Sequence, residues 1–152
     1  MQRTDTLDFL IGHWTLFRLM SDGDGPLGVF EGRAAFAVTD ERLPGKPSAR
    51  YDEPGILRPI LSTCSVPAAR RFLCRPLRGG PLELLFSDGR LFTRVDLRSG
   101  SWHAEHWCGE DLQMIDTEVL SESWIQERWS VHGPDTEFEG TTDLFRSTNE
   151  EE

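Results

Sequence analysis

Turn signals recur along this chain at short, fairly even intervals, and that spacing constrains its fold more than any other feature. They are Ser21-Asp22-Gly23-Asp24-Gly25-Pro26, Arg78-Gly79-Gly80-Pro81, Ser87-Asp88-Gly89, Arg98-Ser99-Gly100, Gly109-Glu110, Ser121-Glu122 and Gly133-Pro134. Between them lie short stretches with period-two alternation and many aromatic or β-branched residues. Such stretches, joined by tight turns, are antiparallel strands of a sandwich or barrel.

The spacing predicts about ten strands: Trp14 to Met20, Leu27 to Val38, Ser48 to Glu53, Arg70 to Leu77, Leu82 to Phe86, Leu91 to Leu97, Ser101 to Cys108, Asp111 to Leu120, Ser123 to His132 and Thr136 to Phe145. Gly28 and Gly32 predict bending in the second. Pro54-Gly55 is expected to break the third. Ile56 to Pro67 reads either as an edge strand or as a crossing loop. Before all of these, Thr4 to Ile11 reads as one helical turn with Leu7, Leu10 and Ile11 on one face and Asp5 or Thr6 as its cap. The expected fold is all-β: an antiparallel up-and-down β-barrel with a short N-terminal helical plug. With 152 residues, the chain fits one domain, residues 1–147, followed by an acidic disordered tail, 148–152.

Composition narrows the partners. The five tryptophans and nine phenylalanines require a large packed interior. A net charge of −10 opposes nucleic acid and anionic membrane surfaces, which need a cationic face. No apolar run is long enough to span a bilayer, and Met1 to Asp5 shows no signal-peptide pattern, so a cytoplasmic location is expected. Cys64, Cys74 and Cys108 then read as free thiols. The oligomeric state stays open, a homodimer included.

Phe9-Leu10-x-Gly12-x-Trp14 resembles the opening of calycin barrels, the lipocalin and fatty-acid-binding-protein group. That resemblance implies a plugging helix, a first strand starting at Gly-x-Trp, and a terminal arginine, here Arg146, packed over Trp14. Gly12, Trp14 and Arg146 would form the barrel floor, with a cation on an indole face. Nearly the whole chain also resembles an uncharacterised family of bacterial calycin-like proteins. The resemblance rests on Tyr51-x-Glu53-x-Gly55, Phe86-x-Asp88-Gly89-Arg90-x-Phe92, His106-x-Cys108-x-x-Asp111 and Trp129-x-Val131-x-Gly133-Pro134. The chain departs from that family at Gln113, where a tyrosine is usual, and at Asp135-Thr136, where a basic pair is usual.

Strand parity then nominates ligand-facing residues. Trp14, Leu16, Arg18 and Met20 share one face. Trp102, Ala104, His106 and Cys108 form the less charged face of their strand and are expected inside. Arg18, Arg94 and Arg128 are the candidate inward cations, Arg128 sharing its face with Trp124 and Gln126. Buried arginines require carboxylate partners, for which Glu31 and Asp96 are candidates, or an anionic ligand. The candidate ligand-binding set is His106, Cys108, Arg18, Arg94, Arg128, Tyr51, Trp102 and Trp124. The leading expectation is a pocket for a small, partly apolar, anionic molecule.

Other chemistries compete with it. His106, Asp111, Glu31 and Tyr51 suit acid–base work of an isomerase or cyclase. His106 and Cys108, with Asp111, have the alternation of a metal pair, although the overall reading requires no metal. A Cys108–His106 nucleophile lacks an evident oxyanion site. Haem would need His106 or His132 as an axial ligand; no cofactor is required by the sequence. His13 and His103 read as surface residues. A sheet edge at Pro54 to Pro67 would suit a protein partner.

Overall fold

The computed structural model describes residues 5–41 and 45–147, and the acidic tail lies outside the described residues. One short helix, α1 (Thr6–Leu10), precedes ten strands. The strands are β1 (Gly12–Asp22), β2 (Gly25–Val38), β3 (Ala49–Pro59), β4 (Val66–Pro76), β5 (Leu82–Leu85), β6 (Leu91–Val95), β7 (Ser101–Cys108), β8 (Asp111–Ser121), β9 (Trp124–His132) and β10 (Glu137–Arg146). Every neighbour pairs antiparallel, in the order β6-β5-β4-β3-β2-β1-β10-β9-β8-β7. The sheet curls until its two edges, β6 and β7, face each other, giving a nearly closed up-and-down barrel. The seam between them carries no backbone ladder. It is bridged by the Trp102 indole N–H, which donates to the Arg94 carbonyl at 2.7 Å. No helix among the described residues is long and apolar enough to cross a membrane.

Alternation decides what lies inside. Trp14 and Leu16 on β1, Phe30, Ala34 and Phe36 on β2, Ala49 and Tyr51 on β3, and Phe72 and Cys74 on β4 are all buried. The intervening positions carry charge outward, as in Arg50–Asp52, Arg71–Asp52 and Arg58–Glu31. Helix α1 closes one end. Asp5 caps it, accepting from the Asp8 amide at 3.1 Å. Thr6 fastens it, its amide donating to the Gly80 carbonyl and its hydroxyl accepting from the Leu97 amide, both at 3.0 Å. Leu7, Phe9 and Leu10 then fill the barrel floor.

At the floor, the Trp14 indole donates to the Leu10 carbonyl at 2.9 Å. Arg146 lies over the Trp14 ring, 4.2 Å from its centroid, and over Phe9 at 5.3 Å. Its three nitrogens donate to the carbonyls of Phe9, Ile11 and Glu122 at 2.8, 3.3 and 3.2 Å.

One strand differs from its sequence reading. β3 does not end at Pro54-Gly55 but runs on to Pro59, paired with β2 on one side and β4 on the other. Gly55 stands opposite Gly32, where the backbones approach so closely that a Cβ on Gly32 would lie 2.2 Å from the Pro54 carbonyl oxygen. Two glycines at one contact let the sheet bend there without breaking. Ile56 to Pro67 is therefore neither an edge strand nor a crossing loop. It is the far end of the β3–β4 hairpin, and the free edges are β6 and β7.

Candidate functional site

Above the floor the barrel holds a cavity of about 340 Å³, within the size range of small-molecule sites. Phe36, Phe72, Phe92, Trp102, Trp129 and Ile115 give it a largely apolar wall. Trp129 spreads across the inner side of β10 because Gly140 leaves room. A Cβ there would come within 2.4 Å of the indole ring.

A carboxylate lies behind this wall. Glu53 on β3 is 1% exposed. Arg18 grips it with both terminal nitrogens, at 2.6 and 3.1 Å, while its Nε donates to the Thr142 hydroxyl at 2.9 Å. Arg18 stands on β1 and Glu53 on β3. The strand between them, β2, sets Phe30 opposite Arg18, and Arg18 reaches Glu53 on the diagonal past Gly32, its guanidinium 5.6 Å from the Phe30 ring centroid. Arg70, the partner of Glu53 on β4, donates from Nε to both oxygens at 3.1 Å. Tyr51 donates its hydroxyl to Oε2 at 2.6 Å. Burial alone would raise the pKa of Glu53. The Arg18 hydrogen bonds and the Arg70 charge outweigh it and hold the carboxyl below its ordinary range. Tyr51 moves the other way: burial, then the neighbouring Glu53 charge, push its phenol well up.

Two side chains beside the cluster present polar atoms to the cavity that no described residue bonds. Arg70 lines it, is 41% exposed and stacks against Phe72 at 5.3 Å, and its two terminal nitrogens have no hydrogen bond among the described residues. Glu127 on β9 also lines the cavity, with no hydrogen bond or ion pair among the described residues. Burial pushes its carboxyl above the ordinary range, with Arg70 and Arg18 opposing and Glu53 reinforcing the shift.

The nominated residues divide accordingly. Arg18, Tyr51 and Trp102 line the cavity together. Arg94 reaches it at the seam, but its side chain pairs with Glu83 on the outside at 3.1 Å. Arg128 and Trp124 lie on the outer face. Trp124 stacks on Phe145 and donates to Asp143, and Arg128 stands exposed opposite Asp116. β9 turns Ile125, Glu127 and Trp129 inward instead, because Ile125 is the residue its packing buries. His106 and Cys108 share the face of Trp102 and Ala104, but β7 carries them past the cavity to the open rim, where both are exposed. Asp111 accepts from Thr136 at a turn.

His132 points to the face opposite His106, since its register partner is Leu112 while that of His106 is Gln113, a cavity residue. The two histidines therefore stand on opposite faces of the sheet, and His106 is the one on the cavity's face, at the exposed rim. No three His, Cys, Asp or Glu side chains cluster to hold a metal among the described residues. The carboxylate partners also differ from expectation: Glu31 pairs with exposed Arg58 and Asp96 with Arg98, so neither meets an inward arginine. The acid–base set His106, Asp111, Glu31 and Tyr51 is scattered, and the titratable side chains gathered at the cavity are Arg18, Tyr51, Glu53, Arg70 and Glu127. Glu53 sits in the Tyr51-x-Glu53 alternation, and that shared parity is the signal that places it inside.

The molecule is thus a small antiparallel barrel with an internal cavity walled by aromatics and arginines. The chain belongs to a family of unknown function (DUF6314), whose model matches residues 10–146. No curated protein matches it. Among solved structures it is similar to the S-type phycobiliprotein lyase CPES from Guillardia theta, with a TM-score of 0.64 and 7% identity over 94% of this chain and 91% of that one. It is also similar to a redesigned β-barrel, mFAP1, bound to DFHBI, with a TM-score of 0.47 and 13% identity over 94% of this chain and all of the other. At such identities the likeness to the lyase is one of fold.

Proposed function

We propose that this protein is a calycin-like, single-domain barrel of the bacterial cytoplasm that binds a small, partly apolar, anionic molecule in its cavity. The observation that carries the reading is Arg70, a cavity-lining cation with both terminal nitrogens unengaged beside an aromatic wall. Arg18 and Tyr51 hold Glu53, and Glu53 holds Arg70, so the cation is positioned before any ligand arrives. Trp102, Phe92 and Trp129 supply apolar contact. The three free cysteines agree with a reducing compartment.

The test has two arms. A native mass spectrum of untagged protein, with an absorption scan, is expected to show an added mass that is lost on unfolding. Fluorescence titration with 1-anilinonaphthalene-8-sulfonate, an apolar body with one fixed negative charge, is expected to show binding that Arg70→Met weakens about 10- to 100-fold, the worth of one charge-assisted hydrogen bond. Ala104→Trp, which fills the cavity, is expected to abolish it. Protein that carries no ligand and binds the probe equally well with Ala104→Trp overturns the reading.

A further inference from the structure

Glu127 is the ionisable group that the Glu53 cluster leaves over. Register places it in one row across the inner wall: Trp102 on β7, Thr117 on β8, Glu127 on β9, Thr142 on β10 and Arg18 on β1. Its immediate neighbours in that row are neutral hydroxyls, and the Thr142 hydroxyl already accepts from Arg18. The charged or titratable groups that face it are Arg18 from β1, Tyr51 and Glu53 from β3, and Arg70 from β4. Trp102, Ala104, Gln113, Ile115 and Leu144 complete its surroundings without charge. The side chain of Arg94 is turned away to Glu83.

Charge balance then decides what the cavity accepts. With Glu127 ionised, two arginines face two carboxylates, and an incoming anion would be an uncompensated charge in an apolar enclosure. With Glu127 protonated, one positive charge is in excess. That excess lies with Arg70, the arginine with unengaged nitrogens. One monoanion restores neutrality, whereas a dianionic phosphate would exceed it. A planar carboxylate matches the guanidinium fork.

We propose that the cavity selects a carboxylate on an apolar body and takes it up together with one proton. Arg70 meets the carboxylate with its terminal nitrogens, and the Glu127 carboxyl donates a hydrogen bond to it. This rests on the binding reading above and adds the headgroup and the proton. Burial raises the pKa of Glu127, the direction that eases adding the proton when the ligand enters.

Isothermal titration calorimetry of the full chain with naphthalene-2-carboxylate and naphthalene-2-carboxamide tests it between pH 5 and 9. The carboxylate is expected to bind, its affinity falling roughly tenfold per pH unit once Glu127 ionises in the free protein. Where that slope holds, paired buffers of different ionisation enthalpy should count about one proton taken up per ligand. The amide is expected to bind without either dependence. Glu127→Gln should keep carboxylate binding and lose both the slope and the proton uptake. Carboxylate binding with no slope and no proton uptake, or a slope unchanged in Glu127→Gln, overturns the proposal and leaves the binding reading intact. If neither compound enters the cavity, both fall.

Discussion

The floor and the cavity wall of the barrel use the same pair of materials, arginine and aromatic rings, in different ways. At the floor, Arg146 covers Trp14 and Phe9, and each of its three nitrogens meets a backbone carbonyl. In the cavity wall, Arg70 stacks on Phe72, but only its Nε is engaged, by a carboxylate. A guanidinium offers five N–H donors. Where every nitrogen is engaged the residue is a plug, and where two nitrogens stay open beside an apolar wall the residue keeps the donors that the proposed ligand requires. The acceptors differ too. Backbone carbonyls cannot ionise, so these Arg146 hydrogen bonds do not depend on a carboxylate, whereas the wall depends on the charge of Glu53.

The largest effect that would break this comparison is expected from Glu53→Gln. Removing the charge leaves Arg18, 11% exposed, and Arg70 with no carboxylate bonded to either. Breaking a buried pair in this way costs about 3–5 kcal/mol, measured by urea denaturation at pH 7. The linked pH dependence has a definite sign. The folded-state pKa of Glu53 is depressed, so its stabilisation is present above the unfolded value, roughly 4.3, and is lost as pH falls through the lower folded value. Glu53→Gln should therefore flatten the acid limb of the stability profile. A substitution costing under 1 kcal/mol would mean that the wall is not held by its carboxylate.

Arg146→Met comes next. It removes three hydrogen bonds and the cation over Trp14, worth about 2–3 kcal/mol together, with no change in the acid limb. Anionic probe binding in the cavity should be unaffected. If the acid limb flattens here as well, the floor and the wall are coupled and the contrast drawn above fails.

Glu127→Gln sharpens the contrast within the wall itself. The folded-state pKa of Glu127 is raised, so its contribution is fully present below the unfolded value and is lost as pH rises through the folded value. The variant should gain stability relative to the parent protein at pH 8 and show little difference at pH 4. Thermal melts at the two pH values check the sign. An equal shift at both would place the Glu127 carboxyl in water.

Most of the barrel was legible because its signals are local. Alternation marks strands, Asp-Gly and Gly-Pro mark the turns, and short turns between strands leave little but an up-and-down order. β3 was misread at Pro54-Gly55 because that dipeptide is a turn signal whose meaning here is set by Gly32 on the neighbouring strand, a contact the sequence does not display. The same misreading hid Glu53, which then stands as the last residue of its strand, beside the expected break. On β9, parity offered two faces, Arg128 with Trp124 or Glu127 with Trp129, and only the burial of Ile125 separates them. His106 and Cys108 were on the right face but too far along it, since alternation says nothing about depth.

The seam gives the smallest of these effects and the finest test of how the wall differs from the floor. At the floor, α1 ties the turns of neighbouring strands together through Thr6, and the enclosure is continuous. Along the cavity, β6 and β7 meet without a ladder, and the Trp102 indole reaches the Arg94 carbonyl across the gap. Trp102→Phe keeps most of the apolar contact but removes that hydrogen bond, so it should cost about 1 kcal/mol. The loss should be local rather than global. Amide exchange is expected to quicken at Thr93 to Val95 and along β7, while Trp14, Leu16 and their partners on β10 keep their protection. Faster exchange at both places would show that the barrel opens as one unit. Faster exchange at the seam alone would mark that gap as the side on which the wall yields.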